Sequence, residues 1–243
     1  MRKSVTLLLA AASMSAVSCS RGHAAQDAGP TISRNYPVGN FQQIDVAGPY
    51  DVTVRTGANA SVAAQGPQNY LDRIVVEVKG DKLVIRPKGQ RGWVNEGWTK
   101  RVKANFTITV PQLRAAAIAG SGDLNVDRVA GPSFAGSVAG SGGMNLGAVD
   151  VQQLKVDITG SGGIKAGQGK ARSASYDIVG SGNVDAGAVQ SDQIKVSIAG
   201  SGSVRAYATG TADVDIMGSG GLDLSGGAKC KVSKMGSGDA RCS

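Results

Sequence analysis

The sequence predicts an all-β fold: a right-handed parallel β-helix with coils of about 20 residues, preceded by a β-rich N-terminal cap. Three observations support this prediction: a Gly-Ser-Gly triplet that recurs at nearly constant spacing, alternation of apolar and polar residues around each triplet, and a shortage of large side chains. Glycine supplies 36 of the 243 residues and aromatic residues only 4%. The core must therefore be built mainly from Val, Ile, Leu and Ala, in many thin layers.

Residues 1–25 have the features of an export signal. Two basic residues precede an uncharged apolar run from Val5 to Val17, whose 13 residues are too few to cross a bilayer, which takes about 20. The letters AVSC ending at Cys19 resemble a lipobox, in which the cysteine becomes acylated, whereas GHA at 22–24 would suit ordinary signal peptidase. With either cleavage the mature chain is exported to the periplasm, the outer membrane or the cell surface. Membrane contact is expected only through the lipid anchor that acylation of Cys19 would supply.

Residues 26–35 are predicted to form a flexible lead-in, and residues 36–114 a β-rich part that begins the solenoid. Six segments of this part alternate in the manner of strands: FQQIDV, YDVTVRT, SVAAQG, IVVEVKG, KLVIRPKG and FTITVP. Their spacing is irregular and they lack the triplet, which indicates a cap or wider first coils. No Pro- or Ser-rich linker separates them from residues 115–243, so we expect the cap to be continuous with the repeats.

One segment of the cap, residues 86–103, combines aromatic and basic side chains. It holds both tryptophans of the chain and six cations against one glutamate. Such a surface suits contact with envelope glycans, lipid headgroups or another surface protein. The candidate binding residues are Arg91, Trp93, Trp98, Lys100, Arg101 and Lys103. The alternative is a hairpin whose tryptophans pack on the cap and whose charges are solvated.

The triplet marks the repeats of residues 115–243. It occupies seven positions: 120–122, 140–142, 160–162, 180–182, 200–202, 218–220 and 236–238. Successive triplets start 20, 20, 20, 20, 18 and 18 residues apart. Self-similarity at a period near 20 is typical of a solenoid, in which each coil completes the core of its neighbours.

Apolar residues occupy the same places in every repeat. Two residues before each triplet stand Ile118, Val138, Ile158, Ile178, Ile198, Ile216 and Lys234. Two residues after it stand Leu124, Met144, Ile164, Val184, Val204, Leu222 and Ala240. This period of two predicts strands joined by tight bends, and stacked coils would place like side chains about 4.8 Å apart. Parallel crossovers favour the right-handed coil.

The triplet itself is predicted to form the corner of each coil. Glycine adopts backbone angles that other residues avoid and permits close approach of coils, while serine hydroxyls can bond to backbone groups or to each other. The sequence does not say whether the serines point inward or outward. A phosphate-binding loop would lead into a helix, which no triplet does. A calcium-binding solenoid would repeat every nine residues with a regular aspartate, whereas only Asp123 and Asp239 follow a triplet directly.

The cysteines agree with export. Cys19 is either acylated or removed, which leaves Cys230 and Cys242 to pair in an oxidising compartment. Closing this short loop would contribute about 2–3 kcal/mol in the chain-entropy model. The pair brackets the last triplet, where Lys234 replaces the isoleucine of its column, and this predicts a cap on the end of the solenoid. Two unrelated thiols are the alternative.

The residues needed for catalysis are scarce. The single histidine, His23, lies in or beside the export signal, and the chain shows no His/Cys metal cluster and no nucleophile motif. We therefore expect no enzyme, no metal and no cofactor. Asp157 and Asp177, with Asp215 further along, share a column and offer an acid/base alternative of the kind used by carbohydrate-active β-helices. Against it, Lys155 and Lys195 supply counter-charges in a neighbouring column.

Charge is distributed unevenly. Residues 115–243 hold 11 Lys and Arg and 11 Asp, whereas residues 1–114 hold 15 basic and 7 acidic residues, which accounts for the whole net charge of +8. A nucleic-acid partner is not expected from this distribution. One column of the repeats alternates in sign along Lys165, Asp185, Arg205, Asp223 and Arg241. Alternation suits cross-strand ion pairs on a solvated face, where a slip by one coil would bring like charges together.

The run PQLRAAAIAGSGDLNV, the repeated triplets and the segment FQQIDVAGPYDVTVRTG resemble the bacterial family named "putative auto-transporter adhesin, head GIN domain". The resemblance covers about residues 36–240. It implies an exported β-helical protein, often a lipoprotein, of a domain family whose function is unknown. It implies no activity and supplies no catalytic residues.

The sequence therefore favours an exported, non-enzymatic protein of the cell envelope, an adhesin-like module that binds through the complementarity of its surface. The first alternative is a carbohydrate-active or glycan-binding protein that uses the Asp157/Asp177 column. The second is a purely structural periplasmic scaffold.

Overall fold

The computed structural model describes residues 29–89 and 103–243, which form a β-solenoid of about six turns. This confirms the predicted fold class. Ile158 of one coil pairs in parallel register with Ile178 of the next, and Ile178 with Ile198, so that the coils stack with a shift of 20 residues.

In chain order the described elements are β1 Thr31–Tyr36, β2 Gln43–Ala47, β3 Asp51–Thr56, β4 Ser61–Pro67, α1 Gln68–Leu71, β5 Ile74–Lys79, β6 Lys82–Pro87, β7 Asn105–Val110, β8 Ala115–Gly120, β9 Asp123–Gly140, β10 Gly143–Gly160, β11 Gly163–Gly180, β12 Asn183–Gly200, β13 Ser203–Gly218, β14 Gly221–Ser225, β15 Lys229–Met235 and β16 Asp239–Cys242. Strands β9 to β12 are each 18 residues long and extend from one triplet to the next. Within the described ranges, no helix is long and apolar enough to cross a bilayer.

The corners are held by the backbone of the triplets. The amide of Ser181 donates to the carbonyl oxygen of Gly160 in the preceding coil, with 2.9 Å between nitrogen and oxygen. The same bond has the same length at four other serines: Ser141, Ser161, Ser201 and Ser219. The side chains of all seven triplet serines are exposed, so they point outward. Hydrogen bonds from their hydroxyls were predicted, but the described part of the chain contains none.

The two glycines of a triplet are needed for different reasons. Gly180 has a φ of +123°, and a Cβ there would lie 2.3 Å from the carbonyl oxygen of Gly160. Gly182 has ordinary backbone angles, but its Cβ would lie 2.5 Å from Cγ2 of Ile158. The first glycine therefore provides the left-handed backbone angles of the corner. The second leaves room for the isoleucine side chain of the preceding coil.

The core is a stack of buried columns. The predicted apolar residues Ile158, Ile178 and Ile198 are each only 1% exposed, and burying such a side chain stabilises the fold by about 1.5–3 kcal/mol. Within one coil, a large buried side chain is accompanied by a small residue nearby, so side-chain volume is not constant along each column. Gly136 follows the large Phe134, and a Cβ at position 136 would lie 3.3 Å from that ring.

The N-terminal part stacks on the first repeats through parallel strands. Strand β8 stacks in parallel on β2, and β2 on β6, while the start of β9 stacks on β3, and β3 on β7. Antiparallel pairs of β1 with β4, β4 with β7 and β5 with β6 complete this part. All six predicted strand segments are strands.

Two details of the N-terminal part differ from the sequence prediction. Residues 31–35 were assigned to a flexible lead-in, but Thr31–Tyr36 forms β1, because Ile32 and Tyr36 pack against the core. The helical turn α1 was not predicted, and it buries Tyr70 and Leu71.

The predicted disulfide between Cys230 and Cys242 is confirmed. Cys230 stacks on Ala212 and Cys242 on Leu224, both of which are buried core residues. The bridge therefore lies across the end of the core and joins β15 to β16. Strand β15 pairs with β13 and with no other described strand, and its lysines suit an exposed edge because they disfavour pairing with another chain.

Gly180→Ala should lower the free energy of unfolding by about 3 kcal/mol, because the new methyl group meets a carbonyl oxygen in a backbone region that alanine avoids. The matched control is Gly163→Ala in the same strand. Its φ is ordinary and the nearest atom to a Cβ lies 3.6 Å away, so the change should stay below about 1 kcal/mol. Urea unfolding of both variants measures the difference, and equal losses would contradict the assignment of the corner.

Cys230→Ser combined with Cys242→Ser should lower the free energy of unfolding by about 3 kcal/mol. Because the bridge joins only the last two strands, amide hydrogen exchange should accelerate most in β15 and β16 and least in β10. Mass spectrometry of peptides from these strands would show this gradient. Uniform acceleration along the rod would contradict a local cap.

Candidate binding surfaces

The basic tryptophan segment predicted from the sequence lies mostly outside the described residues. This holds for Arg91, Trp93, Trp98, Lys100 and Arg101, as it does for the lipidation candidate Cys19. Contact through these residues therefore stays a prediction.

The described cations beside that segment are paired within the chain. The ammonium nitrogen of Lys103 lies 2.9 Å from Oδ2 of Asp51, and the hydrogen bond and charge of Asp51 raise the pKa of Lys103. Arg86, which the sequence assigned to the same segment, belongs to β6 and lies 3.2 Å from Oε1 of Glu77. Both cations therefore have a carboxylate partner within the chain, and both ion pairs stay partly exposed.

The predicted aspartate column exists. Asp157 pairs with Asp177 in the next coil, and Asp215 follows after Ser197. The ammonium nitrogen of Lys155 lies 3.3 Å from Oδ1 of Asp157, and the hydroxyl of Ser175 donates to Asp177 at 3.1 Å. Each of these two carboxylates has a polar partner in its own coil.

No group of three His, Cys, Asp or Glu residues suited to a metal occurs in the described chain. The acid/base alternative needs no metal, and the observation behind it is the alignment of Asp157 with Asp177.

An open groove of about 760 Å³ runs along another face of the solenoid, across the strand segments that directly follow the triplets. The first outward position of these segments holds Asp123, Gly143, Gly163, Asn183, Ser203, Gly221 and Asp239. The second outward position, two residues further along each strand, holds Asn125, Asn145, Lys165, Asp185, Arg205, Asp223 and Arg241. We call this surface the post-triplet groove. Glycine occupies three of the seven positions in the first column, and the charged column forms one side of the groove.

Glycines of this groove are not required by the fold. A Cβ at Gly163 would have no neighbour closer than 3.6 Å, and a Cβ at Gly221 none within 4 Å. Neither residue has a positive φ. A side chain at either position would fill the groove without disturbing the coils. These glycines differ physically from the corner glycines, although in the sequence they look like an extension of the triplet.

The groove was not predicted from the sequence. The available signal was the additional glycine directly after three triplets, at 143, 163 and 221, in a position where the alternation of the strand places an outward side chain. Glycine there removes a side chain and leaves room for a ligand against the backbone.

The charged column of the groove is confirmed by the register: Lys165 pairs with Asp185, Asp185 with Arg205, Arg205 with Asp223 and Asp223 with Arg241. The Nε of Arg205 lies 3.5 Å from Oδ2 of Asp223, and these side chains are 66% and 62% exposed. An exposed pair of this kind contributes at most about 1 kcal/mol. These charged groups remain accessible to a ligand in the groove.

A family model described as "Putative auto-transporter adhesin, head GIN domain" matches residues 40–228. No curated protein matches the chain significantly.

Solved bacterial structures share the fold. A putative adhesin from Bacteroides fragilis has 24% sequence identity and a TM-score of 0.78, and the match covers 88% of this chain and 97% of that one. A putative lipid binding protein from Parabacteroides distasonis has 25% identity and a TM-score of 0.71 with the same coverage. A putative adhesin from Parabacteroides merdae has 16% identity and a TM-score of 0.69, again with the same coverage.

Asp185→Lys would place three cations in adjacent coils, between Lys165 and Arg205. We expect the free energy of unfolding to fall by about 1 kcal/mol at low ionic strength, and most of this loss to disappear in 1 M salt, where the screening length is about 3 Å. Asp192→Lys makes the same charge change away from the column and should cost less than about 0.5 kcal/mol. Equal, salt-independent losses in both variants would show that the column does not set the register.

Proposed function

Because the chain belongs to the family described as "Putative auto-transporter adhesin, head GIN domain", we propose that it is an exported, non-enzymatic binding module of the bacterial cell envelope. The observation that supports this most strongly is the post-triplet groove, whose glycines Gly163 and Gly221 have room for a side chain. A module of this kind acts by surface complementarity, without bond-making chemistry.

Export is supported by two features of the chain. The N-terminal sequence has the pattern of a signal peptide, and Cys230 and Cys242 form a disulfide, which persists in oxidising compartments outside the cytoplasm. We place the mature protein in the periplasm or at the outer membrane, with a lipid anchor if Cys19 is acylated.

The groove favours an extended polar ligand, and a glycan chain fits best. Coils repeat about every 4.8 Å, and Asn183 and Ser203 share a column in adjacent coils, where the hydroxyl of Ser203 donates to Oδ1 of Asn183 at 2.7 Å. Lys165 and Asp185 add charges of both signs alongside. A polymer with repeating hydroxyl groups can lie over the glycine positions and meet amide, hydroxyl and charged groups of several coils. The names of the similar structures, putative adhesins among them, agree with binding at a surface.

The function is tested by measuring binding of the purified chain to a panel of neutral and acidic envelope and host polysaccharides. The double variant Gly163→Gln and Gly221→Gln should lower affinity at least about tenfold, since the side chains occupy the groove, while stability changes by less than about 1 kcal/mol. The matched control is Gly39→Gln, where a Cβ also meets nothing within 4 Å. It should bind like the unchanged chain.

Three further outcomes separate the alternatives. Loss of binding in Trp93→Ala with Trp98→Ala, but not in the groove variant, would move the site to the tryptophan segment. New reducing ends or unsaturated products that vanish in Asp157→Asn would contradict a non-enzymatic module. Absence of binding to every polysaccharide would contradict the glycan assignment and favour a scaffold.

A further inference from the structure

Large exposed apolar side chains are concentrated at the C-terminal end of the solenoid. Within the described residues, Met235 is 72% exposed, Met217 59%, Val179 57% and Val232 40%. Three of these four belong to the last two coils. Met235 stacks on Met217, and both point outward from the rod. We call residues 229–242, together with Met217, the terminal patch.

The geometry of β15 explains why the patch is exposed. Val232 stacks on Val214 and Lys234 on Ile216, so both occupy columns that are buried in the preceding coil. No described strand covers them. The side chain of Lys234 bends to donate to the carbonyl oxygen of Gly238 at 3.3 Å, which leaves Val232 beside it at the end of the rod.

The terminal patch is strongly basic. Residues 229–242 contain four cations, Lys229, Lys231, Lys234 and Arg241, against the single carboxylate of Asp239, which gives a net charge of +3. Arg241 pairs with Asp239 at 3.1 Å. Lys229 and Lys231 form no ion pair within the described chain. In the coil before it, Asp213 lies beside Lys231 and Asp215 beside Ser233 in the parallel register, so the excess of positive charge is confined to the last coil.

Protection of an open edge explains the lysines but not the methionines. Lysine on an exposed strand disfavours pairing with another chain, and apolar neighbours work against that effect. Basic residues combined with exposed apolar side chains are typical of proteins that lie on anionic lipid surfaces, where each Lys or Arg adds attraction and the apolar groups enter the headgroup boundary.

We propose that the terminal patch binds the surface of an anionic lipid bilayer. Lys229 and Lys231 meet the lipid phosphates, and Met217 and Met235, which lie on the same outward face as these lysines, enter the headgroup region. This contact is separate from the post-triplet groove, which stays free along the side of the rod. It adds a membrane contact to the lipid anchor that acylation of Cys19 would supply.

The test is co-sedimentation of the full chain carrying Cys19→Ser, which cannot be acylated, with vesicles of phosphatidylglycerol and phosphatidylcholine or of phosphatidylcholine alone. We expect binding to the anionic vesicles that weakens with salt. Lys229→Gln with Lys231→Gln should weaken it about 25-fold, about fivefold for each charge removed. Met235→Ser should weaken it about tenfold. Lys165→Gln with Lys195→Gln removes the same charge from the side of the rod and should change binding less than twofold or so.

Circular dichroism and thermal unfolding of each variant verify that the fold is kept. Absence of binding to anionic vesicles would overturn the proposal, as would equal binding to neutral ones. Equal losses in the Lys229/Lys231 and Lys165/Lys195 variants would also overturn it, because the attraction would then come from net charge rather than from the patch.

Discussion

One kind of hydrogen bond determines the architecture of this protein: at five of the seven corners, the amide of the triplet serine donates to the carbonyl oxygen of a glycine in the preceding coil. At Ser181 and Gly160 the nitrogen and oxygen are 2.9 Å apart, and the same length recurs along the rod. The bond forms only if the coils approach so closely that a side chain at Gly180 or Gly182 would collide with the coil before it. The need for glycine on both sides of the serine, and the nearly constant spacing of the triplets, follow from this close approach of the coils.

Close stacking at the corners fixes the register, and the register sorts side chains into columns. Inward columns such as Ile158, Ile178 and Ile198 form the core. The outward columns differ from face to face. One is an aspartate column with its own polar partners, one is a groove with several glycine positions beside alternating charges, and the last is a basic terminal patch with exposed methionines. The proposed ligands therefore contact separate surfaces of a rigid rod, a glycan along the side and a lipid surface at the end.

The columns, the strands of the N-terminal part and the disulfide could be predicted because each depends on spacing, which the sequence displays directly. The exposed triplet serines and the groove could not. Gly163 and Gly160 look alike in the sequence, and only the space around a Cβ and the sign of φ distinguish a glycine that the corner requires from one that leaves a groove open. Strand β1 was missed because its partner β4 lies about 30 residues away in the chain, beyond the reach of local patterns.

The most direct test of the account is amide hydrogen exchange of the native chain, followed residue by residue by NMR. If the corner bonds hold the coils together, the amides of Ser161, Ser181 and Ser201 will exchange as slowly as those of Ile178 and Ile198 in the flanking strands. If the serine amides exchange as fast as those of an unstructured loop while the strands stay protected, the corners are passive turns. The register would then have to come from the buried columns alone.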